Sequence, residues 1–404
     1  MKYEVDEIMQ YMQEEDVKFI RLAFCDVFGK RKNISVMPDE LPRAFRHGIA
    51  FDASAIAGFG NETRSDLFLR PEPETLTSLP WRPEHGRVVR MVSGITRPDG
   101  SPFELDPRYI LKNAMARAKK MGYGFFFGAE QEFYLFRLDE NGLPTKIPCD
   151  SAGYMDIAPD DRGENVRRDV CLTLERMGVR PECSHHEEGP GQNEIDFRYA
   201  DALTAADQAI IFQTVVETVA HLGGYHADFS AKPLDNAPGN GFHINMSVQP
   251  AEDDAVFESI IAGILDKVPA MTLFLNPTES SYRRLGQQKA PGYVSWSREN
   301  RSQLIRIPAA VGEYRRMELR SPDPSANPYI AFALMIHAAL DGIAEGTALP
   351  AAADLNLFTA DEETLSRYRK LPQSLDEARQ AASDSAFIRA HLPAAVIDAY
   401  CAGE

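Results

Sequence analysis

Glu130 and Glu132 stand two residues apart in Gly128-Ala-Glu-Gln-Glu-Phe-Tyr-Leu-Phe136, a run otherwise apolar and aromatic. On a strand, residues i and i+2 point to one face. The segment therefore reads as a strand with two carboxylates on one face, packed by Phe125, Phe126, Phe127, Phe133 and Phe136. Two inward carboxylates are costly unless something positive lies between them. Alone, the pattern also suits an edge strand with a wet polar face.

Four further segments repeat the theme. In His185-His-Glu187-Glu-Gly-Pro-Gly-Gln192-Asn-Glu194-Ile-Asp196, residues Gln192, Glu194 and Asp196 share a face. In Gly239-Asn-Gly-Phe-His243-Ile-Asn245-Met-Ser247, His243, Asn245 and Ser247 share a face. Asn300 to Pro308 carries Arg301 and Arg306. Arg315 to Arg320 places Arg316, Glu318 and Arg320 together. One alternating strand is ordinary; several with Glu, His or Arg on the polar face predict a curved sheet whose concave side is a site. Glu130, Glu132, Glu187, Glu194 and Glu318 with one imidazole, His243, form an oxygen-rich donor set. That set suits Mg²⁺ or Mn²⁺ better than zinc. Arg284, Arg301, Arg306, Arg316 and Arg320 are planar forks for phosphate and carboxylate. Together they fit phosphoryl transfer. No GxxxxGK[ST] is present, so a nucleotide would not sit on a P-loop. The competing reading is a lattice of structural salt bridges, an inefficient way to stabilise a fold.

The elements that must position these residues alternate helix and strand without a βαβ repeat. Residues 4–15 read as a helix, Val17 to Cys25 and Asn33 to Met37 as paired strands around Gly29, and the chain to about residue 100 as a small strand-rich unit. Helical spacing covers 107–122, 163–178, 204–222, 253–275 and 327–346, and the tail 361–402 reads as polar helices. Within the first unit, Asp52 lies in a loop of small residues, where spacing alone favours a solvated turn acid. At 404 residues two domains are expected. A net charge of -17 argues against nucleic-acid or membrane-surface binding. Five scattered cysteines without a CxxC pair indicate neither a disulfide framework nor a cysteine zinc site. The polar N-terminus is no signal peptide and no stretch is long enough to span a bilayer, so a cytoplasmic protein is expected.

Six segments, GAEQEFYLF, SHHEEGPGQNEID, GNGFHINMS, NPTESSYRRL, NRSQLIRIP and RRMELRSPDPSANPY, resemble in order the signatures of the glutamine synthetases, nearest the bacterial type I enzymes. The resemblance spans about residues 15 to 350. It implies an α+β chain: a β-grasp domain over 1–103 and, over 104–404, a catalytic domain of curved antiparallel sheet with outer helices. It also implies a homo-oligomeric ring with shared active sites. Glu132, Glu187 and Glu194 match the ligands of one divalent cation; Glu130, His243 and Glu318 match those of a second. Arg284 matches the arginine for the substrate α-carboxylate, Arg320 that for the γ-carboxyl, and Gly239 the glycine whose carbonyl meets the α-amino group. Arg301, Arg306 and Arg316 match phosphate-stabilising arginines, and Ser247 a nucleotide-binding serine. Asp52 matches the aspartate that helps bind and deprotonate ammonium in a neighbour's site.

Departures fall in the acceptor half. The family flap reads roughly Arg-Leu-Val-Pro-Gly-Tyr-Glu-Ala-Pro; here it is Arg284-Leu-Gly-Gln-Gln-Lys289-Ala-Pro291, shorter by one, with lysine in place of the flap glutamate. A lysine there would repel NH₄⁺ and could pair with an acid. A companion serine near Asp52 is replaced by Ala55, and an asparagine near the amino-acid site by Pro238. The C-terminal extension that locks two rings is lacking, which favours a single ring. The expectation is an ATP-dependent ligase joining glutamate or an analogue to an amine other than simple ammonium. The alternative is a metal- and nucleotide-binding homologue without turnover, used as a regulator; a guanidino kinase of the same broad fold is a weaker third.

Overall fold

Val17–Cys25 forms the first strand, β1, because its alternating apolar residues bury Ile20 and Leu22. It turns back into β2 (Arg31–Val36), with Ile20 opposite Val36. Asp26 fixes the turn by accepting from the backbone N–H of Phe28 and Lys30 at 3.0 and 2.9 Å. The strands β3 (Ile49–Asp52), β4 (Asp66–Pro71), β5 (Thr77–Ser78) and β6 (Arg87–Thr96) complete a six-stranded sheet of order β2-β1-β6-β4-β3. The β1–β6 pair is parallel and the other pairs are antiparallel. The computed structural model describes residues 5–403 apart from 61, 83–84, 251–252, 311 and 313–314. The first helix runs Val5–Glu14, and Glu4 of the expected helix lies outside the described residues.

This sheet belongs to a unit of residues 1–110, 172–179 and 393–404. The last helix, Ala394–Ala402, corrects the expectation of a wholly polar tail. It buries Val396, Ile397 and Tyr400, and the Tyr400 hydroxyl donates to the Val27 carbonyl at 3.0 Å.

The second unit comprises residues 111–171 and 180–392. Its spine is β7 (Gly124–Leu138), fifteen residues long. Around it lie β8 (Pro144–Pro148), β9 (Pro181–His186), β10 (Gln192–Phe197), β11 (Ala200–Asp201), β12 (Tyr225–Asp228), β13 (Phe242–Gln249), β14 (Trp296–Arg298), β15 (Ile305–Ile307) and β16 (Met317–Leu319). The main order is β14-β15-β16-β13-β7-β10-β9, while β8, β11 and β12 also pair with β7. All described pairs are antiparallel except β14–β15, a departure from the wholly antiparallel sheet expected.

Three apolar helices of this unit carry clear start signals. Asp201, Asp253 and Asn327 each cap a helix by accepting from backbone N–H groups one turn on, opening Ala202–Leu222, Asp254–Leu275 and Pro328–Glu345. The last two cross where Gly263 meets Gly342. A Cβ on Gly263 would lie 2.3 Å from the Ala338 carbonyl oxygen, so only glycine permits this approach. Phe332 of the last helix stacks on Phe127 of β7 at 4.2 Å. Burying each such ring stabilises the fold by about 1.5–3 kcal/mol. Among the described residues no helix is long and apolar enough to cross a membrane.

Candidate active site

Strand register assembles the acids. Glu194 of β10 lies opposite Glu132 of β7, and Asp196 opposite Glu130. On the other edge of β7, His243 of β13 lies opposite Glu130. One strand further, Asn245 pairs with Glu318 of β16, which pairs with Arg306 of β15. A slip by one residue anywhere would turn these side chains to the opposite face.

Four overlapping groups result. Glu130, His243 and Glu318 each offer a ligand atom within 4.8 Å of the others, and so do Glu132, Glu194 and His243. His185, Glu187 and Glu194 form an adjoining set, with His185 Nδ1 3.6 Å from Glu187 and Nε2 3.4 Å from Glu194. Glu130, Glu194 and Asp196 form a fourth. The six residues expected as metal ligands thus lie in one linked cluster. His185 and Asp196 join it without having been singled out. Their signal was available: Asp196 shares the β10 face with Glu194, and His185 is two residues from Glu187.

Neighbours fix these acids. Glu132 Oε2 accepts from the Gly241 N–H at 2.7 Å and from Gln192 Nε2 at 3.0 Å. Asn245 Nδ2 donates to Glu130 at 2.7 Å, while Asn245 Oδ1 accepts from Arg316 Nε at 2.9 Å. Glu318 is held by Arg306 at 2.7 Å and by Arg320. A Cβ on Gly241 would sit 2.7 Å from His243 Nε2 and 3.0 Å from Arg284 Nη2, so glycine keeps this corner open.

The electrostatics are those of an acid cluster short of countercharge. Burial, and then Asp196, Glu132 and Glu130, push Glu194 well above the carboxylate range. Burial and Glu132 raise Glu187. Burial and Glu130 push Asp196 up to about 7. Burial and Arg320 hold His243 down to about 4, so its imidazole is neutral with a lone pair to give. Asp196 Oδ1, Arg306 Nε and Arg320 Nε are buried without a hydrogen-bond partner. Hard oxygen donors, the neutral His243 imidazole and the unmet Asp196 oxygen fit a divalent cation, whereas the unmet Arg306 and Arg320 N–H groups fit an anion.

The arginines divide. Arg284 is buried and donates to the Ser321 and Arg320 carbonyls at 2.7 and 3.4 Å. Arg301 is exposed and near Tyr154, whose ring meets His185 edge-on at 5.4 Å. The Gly239 carbonyl accepts from Gln192 Nε2 at 3.1 Å, and a Cβ on Gly239 would lie 2.4 Å from the Ala231 carbonyl oxygen. Beside the acids opens a cavity of about 820 Å³, walled by Phe126, Glu130, Tyr199, Asn245, Ser247 and Arg316. It has room for a nucleotide.

Residues 104–403 match the family model described as glutamine synthetase, catalytic domain, and 16–98 match glutamine synthetase, beta-Grasp domain. The chain belongs to the glutamine synthetase family. A glutamine synthetase of Clostridium saccharobutylicum is 42% identical, covering 100% of this chain and 94% of that one. One of Methanosarcina mazei is also 42% identical, over 99% and 93%. Among solved structures, a GmaS/ADP complex superposes with a TM-score of 0.89 at 27% identity, covering 100% of this chain and 94% of that one. GmaS without ligand gives 0.88 at 28% identity. The chain is therefore an ATP-dependent C–N ligase of glutamine synthetase type, with a β-grasp N-terminal domain and the family's catalytic domain.

Within this glutamine synthetase framework the flap differs as its sequence foretold. Lys289 forms an ion pair with Glu188, the residue after Glu187. Asp52 belongs to the first unit, where it caps the turn Ala53–Ala55 by accepting from the Ser54 N–H at 2.9 Å and Ser54 Oγ at 2.6 Å. Those Ser54 hydrogen bonds lower its pKa.

Proposed function

We propose that this ligase activates the γ-carboxyl of glutamate, or a close analogue, and joins it to an organic amine rather than to ammonium. The observation that carries the reading is the Lys289–Glu188 ion pair in the flap, where the family pattern has an acid.

Glu132, Glu187 and Glu194 would hold one Mg²⁺ or Mn²⁺, and Glu130, His243 and Glu318 a second. Bound there, the cations supply Lewis-acid charge neutralisation at phosphate oxygens. Arg284 binds the substrate α-carboxylate, Arg320 its γ-carboxyl, and the Gly239 carbonyl its α-amino group. Ser247, on the cavity wall, contacts the nucleotide; the related GmaS structure, named as an ADP complex, supports a nucleotide as ligand. A γ-carboxyl oxygen attacks the γ-phosphorus of ATP and ADP leaves, giving an acyl phosphate. Arg301, Arg306 and Arg316 balance the charge of the transferred group. The amine nitrogen then adds to the acyl carbon, phosphate departs, and the nitrogen's proton passes to a carboxylate, Asp52 of a neighbouring subunit in a ring. Residues 1–103 and 104–404 serve as the two domains of a cytoplasmic enzyme.

The reading is tested by ADP and phosphate release with Mg²⁺, ATP and glutamate, alone and with ammonium, methylamine, ethanolamine or polyamines. Fastest release with an organic amine is expected. Fastest release with ammonium would defeat the acceptor assignment. ATP binding without release under any condition would favour a regulatory homologue instead.

A further inference from the structure

Glu187 is aimed differently from its neighbours in the acid cluster. The carboxylates of Glu130, Glu132 and Glu318 are held by side-chain donors. Glu187 accepts instead from a backbone N–H, that of Glu188 at 3.1 Å, and His185 Nδ1 lies 3.6 Å away. It stands just past the end of β9, at the start of the turn 187–191 that leads into β10. A side chain placed there points where its backbone points it, so whatever fixes the turn fixes the carboxylate.

One buried oxygen fixes the turn at both ends. Asp150 Oδ1 meets His186 Nε2 at 3.0 Å, just before the turn, and accepts from the Gly191 N–H at 2.9 Å, at its close. His186 passes the hold on, since its Nδ1 donates to the Glu187 carbonyl at 2.6 Å. Both side chains are buried, Asp150 2% exposed and His186 0%. Gly191 seats the turn on β7: its φ is +67°, its carbonyl accepts from the Leu135 N–H at 2.8 Å, and a Cβ on it would lie 2.9 Å from the Leu135 carbonyl oxygen. Asp150, Asp161 and His186 also offer ligand atoms within 4.8 Å of one another. Their oxygens are already used. Asp150 Oδ2 accepts from the Arg162 N–H at 2.8 Å, and Asp161 Oδ1 from the Gly163 N–H at 2.9 Å and Arg167 Nη1 at 3.2 Å. The group is a satisfied hydrogen-bond network behind the acids, not a further cation site.

Resting on the reading of Glu187 as a cation ligand, we infer that Asp150 is a positioning residue of this ligase. Through His186 and Gly191 it clamps the turn and holds Glu187 toward the cation shared with Glu132 and Glu194. Such a support keeps a ligand in its binding geometry before the ion arrives, so its loss weakens binding rather than removing a chemical step.

The test titrates the metal-free full chain with Mn²⁺, following the free ion by paramagnetic resonance, in the wild type, Asp150→Asn and His186→Asn. Asp150→Asn keeps the shape and removes the charge. His186→Asn keeps a donor near the Glu187 carbonyl but cannot reach Asp150. Either is expected to weaken one Mn²⁺ per chain by about 10- to 100-fold and to leave the other at wild-type affinity. The Mn²⁺ concentration for half-maximal rate should rise by the same factor while kcat at saturating Mn²⁺ stays near the wild-type value, a split that a general loss of stability would not produce. Amide hydrogen exchange supplies a reading without substitution: in the metal-free wild type, residues 187–191 should already exchange slowly. Unchanged affinity for both ions in a folded variant, equal weakening of both, or a turn that is protected only once Mn²⁺ is added overturns the inference alone. Fewer than two Mn²⁺ bound by the wild type overturns the two-cation reading and this inference with it.

Discussion

Asn245 shows how much of the site depends on side chains that would not touch a cation. Its amide joins Glu130 at 2.7 Å to Arg316 at 2.9 Å. It therefore aims one acid and one phosphate-type arginine at once. Asn245→Ala should lower Mn²⁺ affinity by about 10- to 100-fold, the cost usual for losing such a support. The fold should survive, and calorimetric titration with Mn²⁺ would measure the loss; undiminished affinity would show that Glu130 is held by other means. At this scale the sequence was legible for Glu130, Glu132, Glu194, His243 and Glu318, because period two puts each on the inward face of its strand. It was less legible for His185 and Asp196, whose membership depends on which strand lies alongside. That Lys289 would seek an acid followed from its charge. Which acid did not, since Glu188 is 101 positions away in the chain.

Elements turn those residues into a cluster through register. The fifteen residues of β7 serve five partner strands, and two of them bring Glu194, Asp196 and His243 against Glu130 and Glu132. Strand identity could be read from alternation, but register is a long-range choice fixed by burial on both sides. Helix limits were legible from caps: Asp253 and Asn327 start helices within a residue of where their patterns begin. The final helix was misjudged because four alanines and an aspartate among its nine residues mask a buried Val396–Ile397–Tyr400 stripe.

The helix Pro328–Glu345 also carries a titratable cluster remote from the acids. His337 Nδ1 lies 3.1 Å from Arg117 Nη1, Arg117 pairs with Asp341 at 2.6 Å, and His391 stacks on His337 at 3.9 Å. Burial, with His391 and Arg117, holds His337 down to about 3, against an ordinary 6.5. The folded chain thus keeps this imidazole neutral where the unfolded chain protonates it. Stability from His337 is complete above pH 6.5 and declines as pH falls from there toward 3, by up to about 1.4 kcal/mol per pH unit. Thermal melting between pH 7 and 5 should show a falling midpoint, and His337→Leu should flatten that fall. An equally steep fall in the variant would place the protonation elsewhere.

For the whole molecule, the net charge of -17 coexists with a site built to gather anionic substrates. In the proposed reading the two are compatible because the arginines would act locally, Arg306 from β15 and Arg316 and Arg320 from either side of β16. Two-domain organisation followed from length and from the strand-rich opening. The contribution of residues 172–179 and 393–404 to the first unit did not, because it depends on chain return rather than on local pattern. The central claim is that β7, β10, β13 and β16, together with Glu187 just past the end of β9, gather six ligands around two hard cations. Equilibrium binding of Mn²⁺ to the metal-free chain tests it most directly. At least two Mn²⁺ per chain are predicted in the wild type, and one fewer in His243→Ala. One or none in the wild type, or an unchanged number in the variant, would contradict it.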